Sequence, residues 1–183
     1  MDICVTLPGW IDEITTPGAV FATDEDKMEI AVALAAENVR RGGGPFGAVI
    51  CNRATGRLVA GGCNLVVPSG LSLFHAEVTA IAAAQRRVGG YSLNVDGGHE
   101  IFTSSEPCAM CLGAIFWSGA RRIVYGASCD AARAIGFDEG PVFPETWAYL
   151  RNAGIEVTGG VLAAKSQAVL TAYKEGGGEI YNP

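Results

Sequence analysis

The chain alternates between segments with helical spacing of apolar residues and short, strongly apolar runs. Helical spacing is clearest from Asp24 onward, where Met28, Ala31, Val32 and Ala35 mark one face and glycines 42–44 end the segment. The short runs have the length and the flanking turn residues of strands. They occupy residues 45–50, 57–65, 100–104, 122–125 and 155–158.

Further helices are predicted between and after these strands. They cover residues 75–88, 108–117, 130–135, 144–152 and 165–175. Residues 108–117 are apolar nearly all round, which predicts burial between layers. Alternation of helices and strands favours an α/β fold, a three-layer αβα sandwich around one mixed sheet of five strands.

Chain length and the first residues define the domain organisation that we expect. The 183 residues suffice for one domain with a substantial core. Residues 1–22 contain Pro8 and Pro17 and lack periodicity, so we predict an irregular N-terminal arm there. Residues 23–183 are then a single catalytic domain.

Composition argues against membrane and nucleic-acid partners. No apolar run reaches the roughly 18 residues of a membrane span, and the first residues lack a signal peptide's basic and apolar regions. We therefore expect a cytoplasmic protein, whose six cysteines are thiols or metal ligands. The formal net charge is −6 and basic residues form only isolated pairs, which favours a small free substrate over nucleic acid.

Two short motifs carry the candidate chemistry. His75 opens one predicted helix, and Cys108 and Cys111 lie three residues apart on one face of another. One imidazole and two thiolates are three of the four ligands of tetrahedral zinc, and a catalytic zinc leaves the fourth position to water. The arrangement H-x-E…P-C-x-x-C, which includes Glu77 and Pro107, is the signature of zinc-dependent nucleobase deaminases.

This residue set suits the hydrolysis of an amino-substituted ring. Zinc lowers the pKa of its water to about 7 and so supplies a nucleophile. Glu77 is positioned to take the proton of that water and return it to a ring nitrogen, after which ammonia leaves. Cys-x-x-Cys alone would be weak, because zinc ribbons and redox proteins also use it.

Several segments resemble the cytidine deaminase superfamily, and within it the bacterial guanine deaminases. The resemblance is carried by residues 44–46, 64, 75–77, 105–115, 117–119 and 134–140. It implies a cytidine deaminase-like fold, a Zn²⁺ cofactor, a homodimer, and hydrolysis of a free nucleobase, guanine, to xanthine and ammonia.

The same resemblance implies roles for further residues. Glu139 matches a second proton shuttle for the exocyclic amine, Asp138 has a structural role in its loop, and Asn64 hydrogen-bonds the base. Phe46 and Trp117 either wall the purine or pack in the core. Ala76 and Tyr181 complete the implied substrate contacts, and residues 180–182 resemble a lid, which in such dimers can cover the partner's pocket.

Alternatives remain open at this point. Phe74 stands where relatives carry a small residue, so the substrate can instead be cytosine, a triazine such as ammeline, or a nucleoside. A tRNA adenosine deaminase fits the acidic charge less well. A non-catalytic, zinc-stabilised binding domain would need a fourth protein ligand and has no use for Glu77 or Glu139.

Overall fold

The structure is a computed structural model that describes residues 6–182. Its helices are α1 (Trp10–Thr15), α2 (Asp24–Arg40), α3 (Val66–Ser69), α4 (Ala76–Val88), α5 (Ala109–Ser118), α6 (Cys129–Ile135), α7 (Pro144–Asn152) and α8 (Ala163–Glu175). Its strands are β1 (Gly47–Asn52), β2 (Leu58–Cys63), β3 (His99–Ser105), β4 (Arg122–Ala127) and β5 (Glu156–Gly159).

The five strands form one mixed sheet in the order β2-β1-β3-β4-β5. Strand β1 runs antiparallel to β2 and β3, whereas β3, β4 and β5 run parallel. Side chains alternate across the sheet, so that Ala48 and Ile50 pack on the side of α4, α5 and α7. Val49 and Cys51 pack on the side of α1 and α2, where α8 also lies. The predicted three-layer sandwich is confirmed.

Two glycines in the sheet let helices approach it closely. A Cβ at Gly47 would lie 2.3 Å from the carbonyl oxygen of Ala31 in α2. A Cβ at Gly62 would lie 2.4 Å from the backbone nitrogen of Ala80 in α4. The contact at Gly62 fixes the position of α4 against β2. It therefore also fixes the position of His75, which precedes α4.

The prediction of an irregular arm over residues 1–22 is wrong for residues 10–15, which form α1. Trp10 and Ile11 are buried in the core on the α2 side of the sheet, and residue 20 forms a bridge with Arg57. The six-residue helix was missed because it is too short for a periodic pattern and lies between two prolines. Residues 1–5 lie outside the described part of the chain, and the division at residue 22 stays a prediction.

Helix α5 is less buried than its apolar composition predicts. Only Cys111, Leu112, Ile115 and Ser118 are buried, while Trp117 is 81% exposed. The helix covers the sheet with one face and presents the other to solvent. Within residues 6–182, no helix is both long enough and apolar enough to cross a bilayer.

Candidate active site

Two helix N-termini bring the three candidate metal ligands together. His75 is the residue before α4, and Cys108 is the residue before α5, both with extended backbone conformations. Strand β3 ends at Ser105, so the short segment 106–108 carries the first cysteine over the end of the sheet. Helix N-termini favour thiolates, because their free N–H groups and dipole stabilise negative charge.

The ligand atoms have the spacing that a tetrahedral zinc requires. The Nδ1 atom of His75 lies 3.5 Å from Sγ of Cys108 and 3.6 Å from Sγ of Cys111. Zinc bonds of normal length in tetrahedral geometry would separate nitrogen and sulfur by about 3.6 Å. All three donors lie within 4.8 Å of one another. The donor set therefore fits zinc by both chemistry and geometry.

No fourth protein ligand accompanies these three in residues 6–182. The other histidine, His99, is buried and its Nδ1 lies 2.7 Å from the carbonyl oxygen of Leu93. His99 is thus held by the backbone at the opposite end of β3. Three donors without a fourth are the pattern of a catalytic zinc site rather than a structural one.

A hydrogen bond between the two cysteine side chains shifts their pKa values in opposite directions. A hydrogen bond from Cys111 lowers the pKa of Cys108 to about 4, although burial opposes this shift, and His75 adds to it. The pKa of Cys111 is raised by the same hydrogen bond and by burial. A cation that binds both sulfurs would replace the proton of this hydrogen bond, which is how thiolate sites couple metal binding to proton release.

Two carboxylic acids lie buried beside the ligand set. Glu77, the second residue of α4, has its pKa raised by burial and then by the negative charge of Cys108. Burial, followed by the charges of Cys108 and Glu77, raises the pKa of Glu139 to about 8. Both acids are 6% exposed. Perturbed acids of this kind, grouped in one cavity, are typical of proton-transfer sites.

The loop that carries Glu139 is fastened at several points. Gly136 ends α6 in a left-handed conformation with φ of 115°. Asp138 Oδ1 accepts a hydrogen bond from the backbone of Gly140, at 2.8 Å, which confirms its structural role. The backbone N–H of Ala109 donates to the carbonyl oxygen of Glu139, at 3.0 Å. The second acid is therefore tied directly to the first turn of α5.

A cavity of about 770 Å³ opens beside these groups. Its walls include the predicted residues His75, Glu77, Cys108, Glu139, Phe46 and Tyr181. Phe137 forms the aromatic side of the cavity with Phe46, at a ring-centroid distance of 5.1 Å, and with Tyr181, at 4.9 Å. This wall offers the flat apolar surface that an aromatic ring can stack on.

Asn64 is fully buried and is not itself among the residues that line the cavity; it lies beside Gly44, next to the lining residue Tyr181. Its Oδ1 accepts a hydrogen bond from the backbone of Val66, whereas its Nδ2 has no partner among the described residues. A Cβ at Gly44 would lie 2.1 Å from the hydroxyl of Tyr181 and 3.0 Å from Oδ1 of Asn64. The Tyr181 hydroxyl is likewise buried without a partner. The side chains of Asn64 and Tyr181, each with one buried polar atom that has no partner within residues 6–182, therefore meet beside Gly44.

The C-terminal segment covers the cavity of its own chain. The side chain of Asn182 accepts a hydrogen bond from the backbone of Asp138, at 2.9 Å, and donates one to the carbonyl oxygen of Gly136, at 2.8 Å. Residues 179–182 all line the cavity. The resemblance to a lid is thus matched in position, with the lid supplied by the same chain.

Three sequence-based expectations do not match the positions in the structure. Trp117 lies on the surface and neither lines the cavity nor packs in the core. Its side chain leaves α5 about 120° away from that of the buried Cys111. Ala76 packs in the core between α4 and the sheet. Phe74 packs against the opposite core, which includes Leu65, rather than narrowing the cavity.

The sequence reasoning missed some cavity residues. Phe137 lies in the segment 134–140 that carries the family resemblance, but its own place on the cavity wall was not predicted. Ser105, whose buried hydroxyl has no partner among the described residues, also lines the cavity. So does Met110, between the two cysteines. Nothing in the local pattern distinguishes these two from ordinary core residues.

Comparison with known proteins agrees with this geometry. The family profile of the cytidine and deoxycytidylate deaminase zinc-binding region matches residues 22–127. The guanine deaminase of Bacillus subtilis is 43% identical over 122 residues, which are 66% of this chain and 75% of that protein.

Solved structures extend the likeness over nearly the whole chain. A guanine deaminase from Nitrosomonas europaea superposes with a TM-score of 0.90 at 38% identity, over 95% of this chain and 97% of that one. A structure solved in complex with 2,6-diaminopurine superposes with a TM-score of 0.91 at 39% identity, over 98% and 96%. The chain therefore belongs to the cytidine and deoxycytidylate deaminase family of zinc-dependent deaminases.

Proposed function

We propose that this protein is a guanine deaminase, which converts guanine and water to xanthine and ammonia. The observation that carries the proposal is the pair of buried acids, Glu77 and Glu139, beside a three-donor metal set on one aromatic-walled cavity. Its relatives support the choice of base, since two are guanine deaminases and a third structure holds 2,6-diaminopurine.

His75, Cys108 and Cys111 would hold the zinc ion, which when bound supplies a water activated for attack at neutral pH. Glu77 accepts a proton from the attacking water and donates one to the adjacent ring nitrogen. Its buried position keeps the carboxyl group from exchanging protons freely with bulk solvent.

Glu139 handles the proton of the departing group. Burial raises the pKa of its carboxyl group, which supports a role as a proton carrier near neutral pH. Protonation of the exocyclic amine turns it into a good leaving group, so ammonia departs and the ring carbonyl of xanthine forms. Glu77 therefore protonates the ring nitrogen, and Glu139 protonates the exocyclic amine.

The remaining residues orient the base. Phe46 and Phe137 supply an aromatic wall, against which the purine ring stacks. Asn64 offers an unpaired amide donor, because its oxygen is already engaged by the backbone of Val66. Tyr181 closes the cavity over the base and excludes water.

A non-catalytic zinc domain explains these features less well. It gives no reason for two buried acids that form no salt bridge within residues 6–182, a costly arrangement unless function requires it. It also needs a fourth ligand, which residues 6–182 do not add to the cluster.

Ammonia release from a panel of substrates tests the proposal. The panel contains guanine, cytosine, adenine, ammeline, the corresponding nucleosides and a tRNA anticodon stem-loop, each assayed with the zinc-loaded protein and with Glu77→Gln. We expect the highest kcat/KM for guanine and no turnover by the variant. A higher value for another ring would keep the chemistry and overturn the substrate. Release of ammonia from none of them would overturn the deaminase.

We further infer that the protein is a cytoplasmic homodimer. Buried free thiols suit a reducing compartment. The outer face of α5 is apolar, and its Phe116 contacts Trp117, at a centroid distance of 5.2 Å, and Tyr149 of α7, at 5.5 Å. Trp117 and Tyr149 are 81% and 61% exposed, so this aromatic surface fits a second copy of the chain.

Light scattering coupled to size-exclusion chromatography tests the dimer. Trp117→Glu is expected to shift the mass from two chains to one by placing a charge in the interface. Tyr91→Glu is the matched control, because Tyr91 is 88% exposed and lies in the segment after α4. A monomeric parent protein, or a dimer unchanged by Trp117→Glu, would contradict this interface.

A further inference from the structure

A second buried amide contacts the backbone of Asn64, the residue proposed to bind the base. Asn38, near the end of α2, is 3% exposed and is not part of the cavity wall. We propose that Asn38 is a positioning residue for guanine binding, which sets the place of Asn64 and of the backbone at Gly44. The proposal rests on the function proposed above and on the role of Asn64 in contacting the base.

Asn38 joins two segments that are far apart in sequence. Its Nδ2 donates one hydrogen bond to the carbonyl oxygen of Gly44 and a second to the carbonyl oxygen of Asn64, both at 2.8 Å. The amide NH₂ group has two hydrogens, so both are used. A single side chain thus ties the loop before β1 to the residue after β2.

The fit around Asn38 is close enough to be specific. A Cβ at Gly43 would lie 2.5 Å from both Nδ2 and Oδ1 of Asn38, a separation that real atoms do not tolerate. The backbone N–H of Gly43 also donates to the carbonyl oxygen of Asn38, at 2.8 Å. Glycine at position 43 is therefore what allows the Asn38 amide to reach both carbonyl groups.

The two carbonyl groups that Asn38 binds belong to Asn64, the residue proposed to contact the base, and to Gly44 beside it. Asn64 keeps its side-chain oxygen on Val66, so the direction of its free Nδ2 depends on where the backbone of residue 64 is held. Gly44 faces both Asn64 and the Tyr181 hydroxyl. Without Asn38, the carbonyl oxygen of Asn64 loses its donor, whereas that of Gly44 keeps only the N–H of Phe46. The tie between the two segments is then lost, and the backbone of residue 64 is no longer held against Gly44.

The alternative is that Asn38 only stabilises the fold. Asn52, at the far end of β1, is a matched control. It is also buried, its Nδ2 donates to the carbonyl oxygen of Asp96, at 2.7 Å, and its Oδ1 accepts from Thr55. Loss of the Asn52 amide should lower stability without altering the cavity.

The experiment compares steady-state guanine kinetics, zinc content and melting temperature of Asn38→Ala, Asn38→Asp and Asn52→Ala. Loss of a buried hydrogen-bond donor is expected to lower kcat/KM about tenfold for both Asn38 variants, mostly through a higher KM. The zinc content should stay at one per chain. For Asn52→Ala we expect a lower melting temperature with unchanged KM.

A double-mutant cycle separates positioning from general destabilisation. If Asn38 acts through Asn64, the variant Asn38→Ala/Asn64→Ala should have the same guanine KM as Asn64→Ala alone. Additive effects on KM, or equal KM values for Asn38→Ala and Asn52→Ala, would overturn the inference.

Gly43→Ala covers the case in which the Asn38 variants do not fold. This substitution keeps the asparagine at position 38 but pushes its amide group away from the two carbonyl oxygens. The guanine KM should therefore rise as in Asn38→Asp. A folded Gly43→Ala protein with normal KM would overturn the proposal. If the parent protein prefers another ring, the proposed substrate fails, and the same cycle run with that ring still decides the role of Asn38.

Discussion

The two ends of strand β3 each bury charged side chains, but they treat them in opposite ways. At the amino end, Glu100 lies 2.7 Å from Lys27 and 3.0 Å from Arg122, and Arg122 also pairs with Asp24. At the carboxyl end, roughly 16 Å away along the strand, Glu77 and Glu139 lie near thiols and a single imidazole. Neither forms a salt bridge with a lysine or arginine in the described part of the chain.

From this difference we infer that the amino-end charges are structural and the carboxyl-end charges are functional. The amino-end acids have direct cationic partners, and the strong pairing lowers the pKa of Asp24 through its hydrogen bond from Arg122. The carboxyl-end acids have their pKa values raised by burial, so they are left to be balanced by a cation and a substrate. Unbalanced burial marks the active site of this fold.

The largest effect is expected at the carboxyl end of β3, where the buried acids form no salt bridge in the described chain. Glu77→Gln removes the group proposed to take the water proton and should lower kcat by about 10⁴-fold. The metal ligands are unchanged, so zinc stoichiometry measured by mass spectrometry should stay at one per chain. Loss of zinc or of the fold together with activity would assign Glu77 a structural role instead.

Glu139→Gln should lower kcat by about 10³-fold, because the leaving amine loses its proton donor. Asp138→Asn is the matched control, since Asp138 holds the same loop through the backbone of Gly140. We expect its effect on kcat to be far smaller. Near-normal ammonia release by Glu139→Gln would remove its role as a second shuttle.

Glu100→Gln tests the amino end of β3, where the acids pair with Lys27 and Arg122. It leaves Lys27, which is 7% exposed, without its carboxylate, and should lower the free energy of unfolding by about 3 kcal/mol. The kcat/KM of the folded enzyme should be unchanged. The exposed pair of Arg87 and Asp12 is the comparison, and Asp12→Asn should cost less than about 1 kcal/mol in urea unfolding. A large loss of kcat/KM in Glu100→Gln would contradict a purely structural role for the charges at the amino end of β3.

The smallest effect is a pH dependence of stability in the metal-free protein. The pKa of Glu139 is raised from 4.5 to about 8, so its protonated form favours the folded state. This contribution is full below pH 4.5 and is lost as the pH rises towards 8. Cys108, whose pKa is lowered to about 4, contributes in the opposite direction.

The difference between the parent protein and Glu139→Gln isolates the glutamate. Measured by urea unfolding after zinc removal, the stability of the parent relative to the variant should fall as the pH rises from 5 to 8. With zinc bound, the ion's charge favours ionised carboxylates and the trend should shrink. A relative stability that is independent of pH in the metal-free proteins would show that Glu139 is not held in an apolar setting.

Local sequence patterns predicted most elements and the metal set. The predicted bounds of α7 are those observed, and the predicted ends of α4 and α8 differ by two residues or fewer. These elements are long or clearly bounded by proline and glycine. Helix α1 and the four-residue α3 were missed, because short helices depend on tertiary contacts rather than on periodicity.

The sequence alone determined the chemistry, since the identities and spacing of His75, Glu77, Cys108 and Cys111 restrict the metal and the reaction at short range. Tertiary structure decided which distant groups join them. It placed Phe137 and Tyr181 on the cavity wall, put Trp117 on the surface and set Asn38 behind Asn64. Those outcomes depend on how α2, α5 and the C-terminal segment pack, because packing contacts between remote segments leave no periodic trace in the chain.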